Sequence, residues 1–350
     1  MSAHAASARE AGDGATRVLV ILDGASEPLH DAPTSLERAR TPALDALAAQ
    51  GAITALRTVP PGLPAGSETA IPGLLGWVPD AALDRGAIEA AAHGIEVGQW
   101  ERAWRVDRRD RANAAATAAV LERLLAERLP RGRDGRGHRV HHLAGHRMLV
   151  VGPDSTPTLG AELLGIELRS GLLGVELMVW PAGAIPPRVL GEDTVVIGAR
   201  GAAIGIARLM GARTIVPAGA TGRPGSDIAA KAAAALAAMD AGAARVVVHV
   251  GTADEAAHEL DAEAKVTAIE TADALLLGPL ADALRARGGT LRVCPDHGCD
   301  PTTGEHDDMP VPCLDWPAPA SAPPSALGAG SRLTERTIAE EPTTVAVVAA

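Results

Sequence analysis

Three times in this chain a run of apolar residues ends within a few positions of a carboxylate. R-V-L-V-I-L-D-G at 17–24 closes on Asp23. R-V-V-V-H-V-G at 245–251 is followed by Asp254 and His258, and G-T-L-R-V-C at 289–294 by Asp296 and His297. Unbroken apolar runs of this length are the signature of strands buried on both faces of a parallel sheet. Open α/β sheets place their sites at the carboxyl ends of such strands. D-T-V-V-I-G-A at 193–199 and R-T-I-V-P-A-G-A-T-G at 213–222 add two more strand-and-turn patterns, and Ala52 to Val59 another strand. The expected fold class is therefore α/β, a doubly wound, mostly parallel sheet.

Helices are expected between these strands. S-L-E-R-A-R-T-P-A-L-D-A-L-A-A-Q-G at 35–51 carries Thr41-Pro42 as N-cap and first helical position, with Gly51 as the stop. Further helices are expected at about 112–129, 226–240 and 262–287. A chain of 350 residues exceeds the usual single domain, so two lobes are expected. Residues 1–16 read as a disordered tail without the apolar segment of a secretory signal. Residues 17–80 and 191–314 read as one core, 81–190 as a smaller inserted α+β cap, and 315–350 as a Pro/Ala-rich C-terminal segment.

The core is built from unusual material. There is no Phe and no Tyr, and only five Trp, so Ala, Leu, Val and Ile must fill it and elements should approach closely. Lysine is nearly absent too: Lys231 and Lys265 stand alone among arginines, a setting in which a compact, mobile ammonium points to a specific use. A net charge of −11 argues against nucleic acid or an anionic membrane as partner. A small anionic substrate then needs a local arginine cluster, and R-A-W-R-V-D-R-R-D-R at 102–111 and R-G-R-D-G-R-G-H-R at 131–139 supply two. V-H-H-L-A-G-H-R-M-L-V-V, after the second, reads as a strand. Three cysteines, odd in number, form no disulfide framework, and no apolar run is long enough to span a membrane. A cytoplasmic location is expected.

Seven residues carry the chemistry: Asp23, Ser67, Asp254, His258, Asp296, His297 and His306. Three carboxylates, three imidazoles and a hydroxyl are donors suited to a pair of divalent cations. Taken singly each has a plainer reading. Asp23 can cap a helix or start a turn, Ser67 can be an N-cap with Glu68 in its first turn, and the arginines can be a solvated face. Ser67 lies where the rigid loop P-P-G-L-P-A-G enters a short helix, a place that also suits a phosphate.

In order, Asp-Gly, Gly-Ser-Glu-Thr-Ala, Asp-x-x-x-His, Asp-His-Gly and a late His resemble the alkaline phosphatase superfamily. Within it they are most similar to the cofactor-independent phosphoglycerate mutases of archaeal type. L-L-G-W-V-P, D-R-G-A-I-E-A-A-A-H-G-I at 84–95, P-A-G-A-T-G at 217–222 and A-K-V-T-A-I-E-T-A-D at 264–273 extend the likeness. The resemblance implies Asp23, Ser67, Asp296 and His297 around one Mn²⁺ or Zn²⁺, and Asp254, His258 and His306 around another. It implies that Ser67 takes the phosphoryl group of a small phosphorylated carboxylic acid as a phosphoserine, without 2,3-bisphosphoglycerate. Arg105, Arg108, Arg109 and Lys231 are the expected substrate contacts, and Asp107 or Asp110 the expected proton carrier.

The departures fall in the turn after Asp23 and in the cap. A-S-E-P at 25–28 replaces a Gly-Asp-Arg-Pro-like stretch, and M-V-W-P-A-G-A lacks a lysine the family carries. A sibling phosphotransferase or phosphatase acting on another phosphorylated or phosphonylated small acid is therefore an alternative, and a non-catalytic metal-binding descendant a remoter one. Nothing in the sequence fixes the oligomeric state.

Overall fold

The strands, in chain order, begin with β1 (Arg17–Leu22), β2 (Ala52–Arg57), β3 (Glu101–Arg108), β4 (Arg139–Ala144), β5 (Arg147–Pro153), β6 (Leu177–Val179) and β7 (Thr194–Ile197). They continue with β8 (Arg213–Ile215), β9 (Arg245–Val250), β10 (Thr290–Cys294), β11 (Gly298–Cys299), β12 (His306–Asp307), β13 (Val311–Trp316) and β14 (Ala346–Val347). This computed structural model describes residues 15–156, 159, 175–320, 322, 332–340 and 346–347. The expected tail as far as residue 14, part of the cap and half of 315–350 lie outside the described residues.

An eight-stranded sheet has the order β14-β2-β13-β10-β1-β9-β7-β8. β1 pairs in parallel with β9 and β10, and β7 in parallel with β8 and β9. β13 runs antiparallel to both of its neighbours, β10 and β2. The sheet is thus mostly parallel, and its faces follow the period of two along each strand. Val18, Val20 and Leu22 of β1 join Val246 and Val248 of β9 in one buried cluster, with the helices Pro42–Ala48, Ile228–Asp240 and Ala262–Ala272. Leu19 and Ile21 join Val247 and Cys294 in the other, with the helices Ser67–Leu75 and Ala202–Met210. Both faces are covered.

Close approach replaces aromatic bulk. A methyl on Gly86 would lie 2.2 Å from the Ala103 carbonyl oxygen, and one on Gly205 2.2 Å from that of Ile88. The helix Arg85–His93 is therefore pressed between β3 and the helix Ala202–Met210.

A second sheet, β4-β5-β3-β6, lies within the stretch expected as the cap. Its pairings are antiparallel, and with the helix Ala115–Arg128 it encloses Trp104, Val106, Leu121, Leu125, Met148 and Val150. The segment 140–151, expected as one strand, is instead the hairpin β4–β5, turning at Gly145 with φ +54. The helix expected to begin at Pro42 runs Pro42–Ala48, and a separate short helix, Ser35–Arg38, precedes it. Thr41 is the N-cap of the second piece but makes no capping bond from its side chain. Asp273, 229 residues away, accepts from the Leu44 N–H at 2.7 Å, and its other oxygen accepts from Ala43. It sits at a one-turn π-helix, Asp273–Leu277, that interrupts the helix expected over 262–287. Among the described residues no helix is long and apolar enough to cross a membrane.

Candidate metal centre

Parallel pairing brings the acidic segments together. Ile21 sits beside Cys294 and Leu22 beside Val250, so the chain leaves β1, β10 and β9 at one edge of the sheet. Asp23 follows β1 directly, Asp296 and His297 follow β10, and the helix Thr252–His258 after β9 carries Asp254 and His258 on one face. Gly24 has φ +61, and a methyl there would lie 2.6 Å from Asp254 Oδ1. Only glycine lets this turn pass so close to the carboxylate. His306 arrives from the far side on β12, whose pairing sets it opposite Cys299 of β11.

Ser67 begins the helix Ser67–Leu75, and Gly66 occupies the cap position. The hydroxyl therefore does not cap the helix. Ser67 Oγ lies 3.2 Å from Asp23 Oδ1 and 3.4 Å from His297 Nε2. His297 Nε2 is also 3.2 Å from Asp23 Oδ1 and 3.7 Å from Asp296 Oδ2. In a second group, His306 Nε2 is 3.1 Å from Asp254 Oδ1 and 3.0 Å from His258 Nε2, while His258 Nε2 is 3.4 Å from Asp254 Oδ2.

These donor sets fit divalent cations. Ligands at ~2.0–2.1 Å around a tetrahedral ion are separated by about 3.3 Å, the spacing found in both groups. All three imidazoles turn Nδ1 toward a backbone carbonyl oxygen: His258 to Gly304 at 2.9 Å, His297 to Gly298 at 3.1 Å and His306 to Ala65 at 3.2 Å. A carbonyl only accepts, so Nδ1 carries the proton and the Nε2 lone pair faces the centre, as in metal-ligating histidines. Asp296 Oδ2 is buried and makes no hydrogen bond.

The electrostatics reflect the crowding. Burial and the neighbouring Asp23 push the Asp296 carboxyl up to about 6. Burial works against a charged His297, but Asp296, Asp23 and Asp254 overcome it and raise the imidazole to about 10. Burial also opposes ionisation of Asp23, yet His249 and His297 hold it well below the usual carboxylate range. Asp254 is likewise depressed, by His258 and His306, against burial and the charge of Asp23.

The structure thus brings together all seven residues singled out above. The arginines and aspartates in and beside β3 form clusters of their own. Arg105 is held by the Asp107 carboxylate at 3.1 Å and by Glu89 at 3.0 Å, and the Trp180 indole N–H donates to Asp107 at 2.8 Å. Arg108 pairs with the exposed Asp110, and Arg109, 61% exposed, lies 3.7 Å from Glu176. Lys231 is fully buried, its ammonium donating to the His249 carbonyl at 2.8 Å. It stands behind the centre with no face to solvent.

Three neighbours were not singled out from the sequence. His249 Nε2 lies 3.2 Å from Asp23 Oδ2, and the signal was its place inside an otherwise apolar strand. Cys299 comes within ligand range of Asp254, His258 and His306, but burial and Asp254 push its thiol far up and keep it protonated. Arg85 forms an ion pair with Glu68, next to Ser67, and stacks 3.7 Å over the Trp180 ring. It joins the hydroxyl's helix to the second sheet. The stretch 84–95 that contains it extends the family likeness, but nothing in that stretch marks a role for Arg85.

The sequence profile of the Metalloenzyme superfamily matches residues 15–319. A relative named 2,3-bisphosphoglycerate-independent phosphoglycerate mutase 2, from Methanothermobacter thermautotrophicus, is 32% identical over 85% of this chain and 87% of its own. A 2,3-bisphosphoglycerate-independent phosphoglycerate mutase from Ignicoccus hospitalis is 27% identical over 92% and 93%. In fold the chain is similar to the PH0037 protein of Pyrococcus horikoshii, with a TM-score of 0.75 at 23% identity over 93% of this chain and 92% of that one. It is also similar to a cofactor-independent phosphoglycerate mutase from Thermoplasma acidophilum, with a TM-score of 0.56 at 18% identity over 94% and 96%.

Proposed function

The chain belongs to the Metalloenzyme superfamily and is a 2,3-bisphosphoglycerate-independent phosphoglycerate mutase-like enzyme, and from that premise we propose that it interconverts 3-phosphoglycerate and 2-phosphoglycerate through a phosphoserine at Ser67. The observation that carries this reading is the Ser67 hydroxyl, free of any capping role, within 3.4 Å of both Asp23 and His297. Asp23, Ser67, Asp296 and His297 would hold one Mn²⁺ or Zn²⁺, and Asp254, His258 and His306 the second. Bound there, the cations supply charge that lowers the hydroxyl pKa and offsets the phosphoryl oxygens.

The remaining roles belong to the chain. Ser67 gives up its hydroxyl proton as Oγ bonds to phosphorus and the bond from phosphorus to the glycerate oxygen breaks, and that oxygen takes a proton from the proton carrier. The glycerate stays bound and turns, its other hydroxyl gives its proton back to the carrier and attacks phosphorus, and the bond from phosphorus to Ser67 Oγ breaks, with Oγ regaining a proton. Because Ser67 stores the phosphoryl group, no 2,3-bisphosphoglycerate is needed to prime it. The proton carrier is assigned to Asp107, buried beside Arg105 and Trp180, in preference to the exposed Asp110. Arg105 orients the substrate carboxylate, with Arg108 and Arg109 nearer the rim.

A second reading keeps the Ser67 chemistry and changes the acid it serves. It is favoured by the cap, where Arg105 and Arg108 are already paired with carboxylates of this chain. The test is a coupled assay for conversion of 3-phosphoglycerate to 2-phosphoglycerate, with protein reloaded with Mn²⁺, with and without chelator, and no bisphosphoglycerate. Metal-dependent isomerisation is expected. Release of free phosphate instead would remove the mutase claim and keep the serine chemistry.

A further inference from the structure

A buried carboxylate from the C-terminal part of the chain grips the turn that follows Asp23. Glu335, at the start of the helix Glu335–Glu340, is 5% exposed. One of its oxygens accepts from the Ser26 hydroxyl at 3.1 Å and from the Glu27 N–H at 3.0 Å. The other accepts from the Thr34 hydroxyl at 2.7 Å. Arg332 anchors the same segment independently, donating to the carbonyls of Glu37 at 2.7 Å and Ala39 at 2.6 Å.

The turn is held from its other side by Lys265, which is fully buried. Its ammonium donates to the Ser26 carbonyl at 3.1 Å, to Glu27 at 2.8 Å and to the Cys299 carbonyl at 2.6 Å. Ser26 also bridges to Gly298, and its carbonyl accepts from the Cys299 N–H at 2.8 Å. Residues 26–27 therefore tie together the segment carrying Asp23 and the segment carrying Asp296 and His297. Gly24 closes the link by donating its N–H to Asp296 Oδ1 at 3.2 Å.

We propose that Glu335 is a positioning residue for the metal centre, fixing the 23–27 turn so that Asp23 and Asp296 face the same point. This rests on reading the seven residues as metal ligands. Glu335 touches no ligand and acts through Ser26 and Glu27. A buried carboxylate with three hydrogen-bonding groups around it does more than dock a helix, because Arg332 already docks the segment by bonds that never reach the turn. Outer partners of metal sites are worth about 10–100-fold in affinity.

The test is titration of the metal-stripped full chain with Mn²⁺, by calorimetry, alongside the thermal melt of the metal-free protein. Glu335→Ala is expected to raise the Mn²⁺ dissociation constant about 10-fold or more. Glu335→Gln, which keeps the length and an acceptor for Ser26 and Glu27, is expected to restore most of it. Glu335→Asp keeps the charge but cannot span from Ser26 to Thr34, so it should also lose affinity. If Glu335→Ala does not fold, the Asp variant carries the comparison. A variant that melts lower yet binds Mn²⁺ with wild-type affinity overturns the proposal and leaves Glu335 a stabilising contact only. A wild-type chain that binds no Mn²⁺ overturns the metal reading itself, and the proposal with it.

Discussion

Nε2 of His306 lies 3.0 Å from Nε2 of His258. Each ring gives its Nδ1 proton to a carbonyl oxygen, so two lone pairs face each other unless a proton or a cation separates them. Without a cation that proton is held firmly: hydrogen bonding to Asp254 raises the His258 pKa, and nearby carboxylates raise His297 to about 10. A raised pKa keeps the site protonated below that pH, so acid competes with metal. We therefore expect Mn²⁺ binding to release protons and its affinity to climb with pH through the neutral range toward about 10. Calorimetry in buffers of different ionisation enthalpy reads the proton count directly. Binding without proton release would mean the rings are already neutral.

Ser67→Ala removes the atom that would accept the phosphoryl group and leaves the other six donors in place. Turnover is expected to fall by ~10⁴-fold or more, the scale on which loss of a nucleophile acts. Mn²⁺ binding should weaken far less, because a hydroxyl is the poorest ligand of the set. Trapping with ³²P-labelled substrate at low pH should label the wild-type chain and leave the variant blank. Label retained by the alanine variant would place the phosphoryl acceptor elsewhere.

Arg85 is the cation that reaches both the Ser67 helix, through Glu68, and the second sheet, through Trp180. Arg105 approaches the same indole at 5.4 Å, so two guanidinium groups share one ring. If this seam keeps the glycerate in place while the phosphoryl group rests on Ser67, Arg85→Gln should let water compete. The expected result is a rise of about 10-fold in phosphate released per isomerisation, with Mn²⁺ affinity unchanged, a loss of ~1.4 kcal/mol in discrimination. An unchanged ratio would assign retention to the outer arginines.

The strand ends were legible because each apolar run stops at a polar residue, and a parallel sheet delivers all such ends to one edge. Asp23, Asp254 and Asp296 group together on that logic from the sequence alone. Their partners across the edge obey no such period. His249 sits within a strand, where a lone histidine reads as packing, and Arg85 meets Glu68 on another helix, 17 residues back along the chain. Asp273 caps a helix 229 residues away, and Glu335 reaches Ser26 across 309. Contacts of that separation leave no local pattern. The hairpin at 140–151 was read as one strand because the two halves are equally apolar and only Gly145 marks the turn.

Lys231 carries a charge in the core, and the pH dependence of stability can weigh it. Burial lowers its pKa to about 8, and the Asp23 carboxylate only partly restores it. The unfolded chain holds that proton up to about 10.4. Between those two values the unfolded state binds more protons, so stability rises with pH across that window. Below it, the buried charge costs on the order of 3 kcal/mol relative to a neutral amine. Lys231→Met removes this cost and leaves the His249 carbonyl without its donor, a loss of about 1–3 kcal/mol. The two should nearly cancel at pH 7, and the variant should become the less stable protein above pH ~10. Urea denaturation of both chains from pH 7 to 10.5 gives the difference curve. A flat curve would show that the ammonium is not held at a lowered pKa. Since the side chain has no face to solvent, the variant's KM should stay within about threefold of wild type, whereas a direct substrate contact would raise it by ten-fold or more.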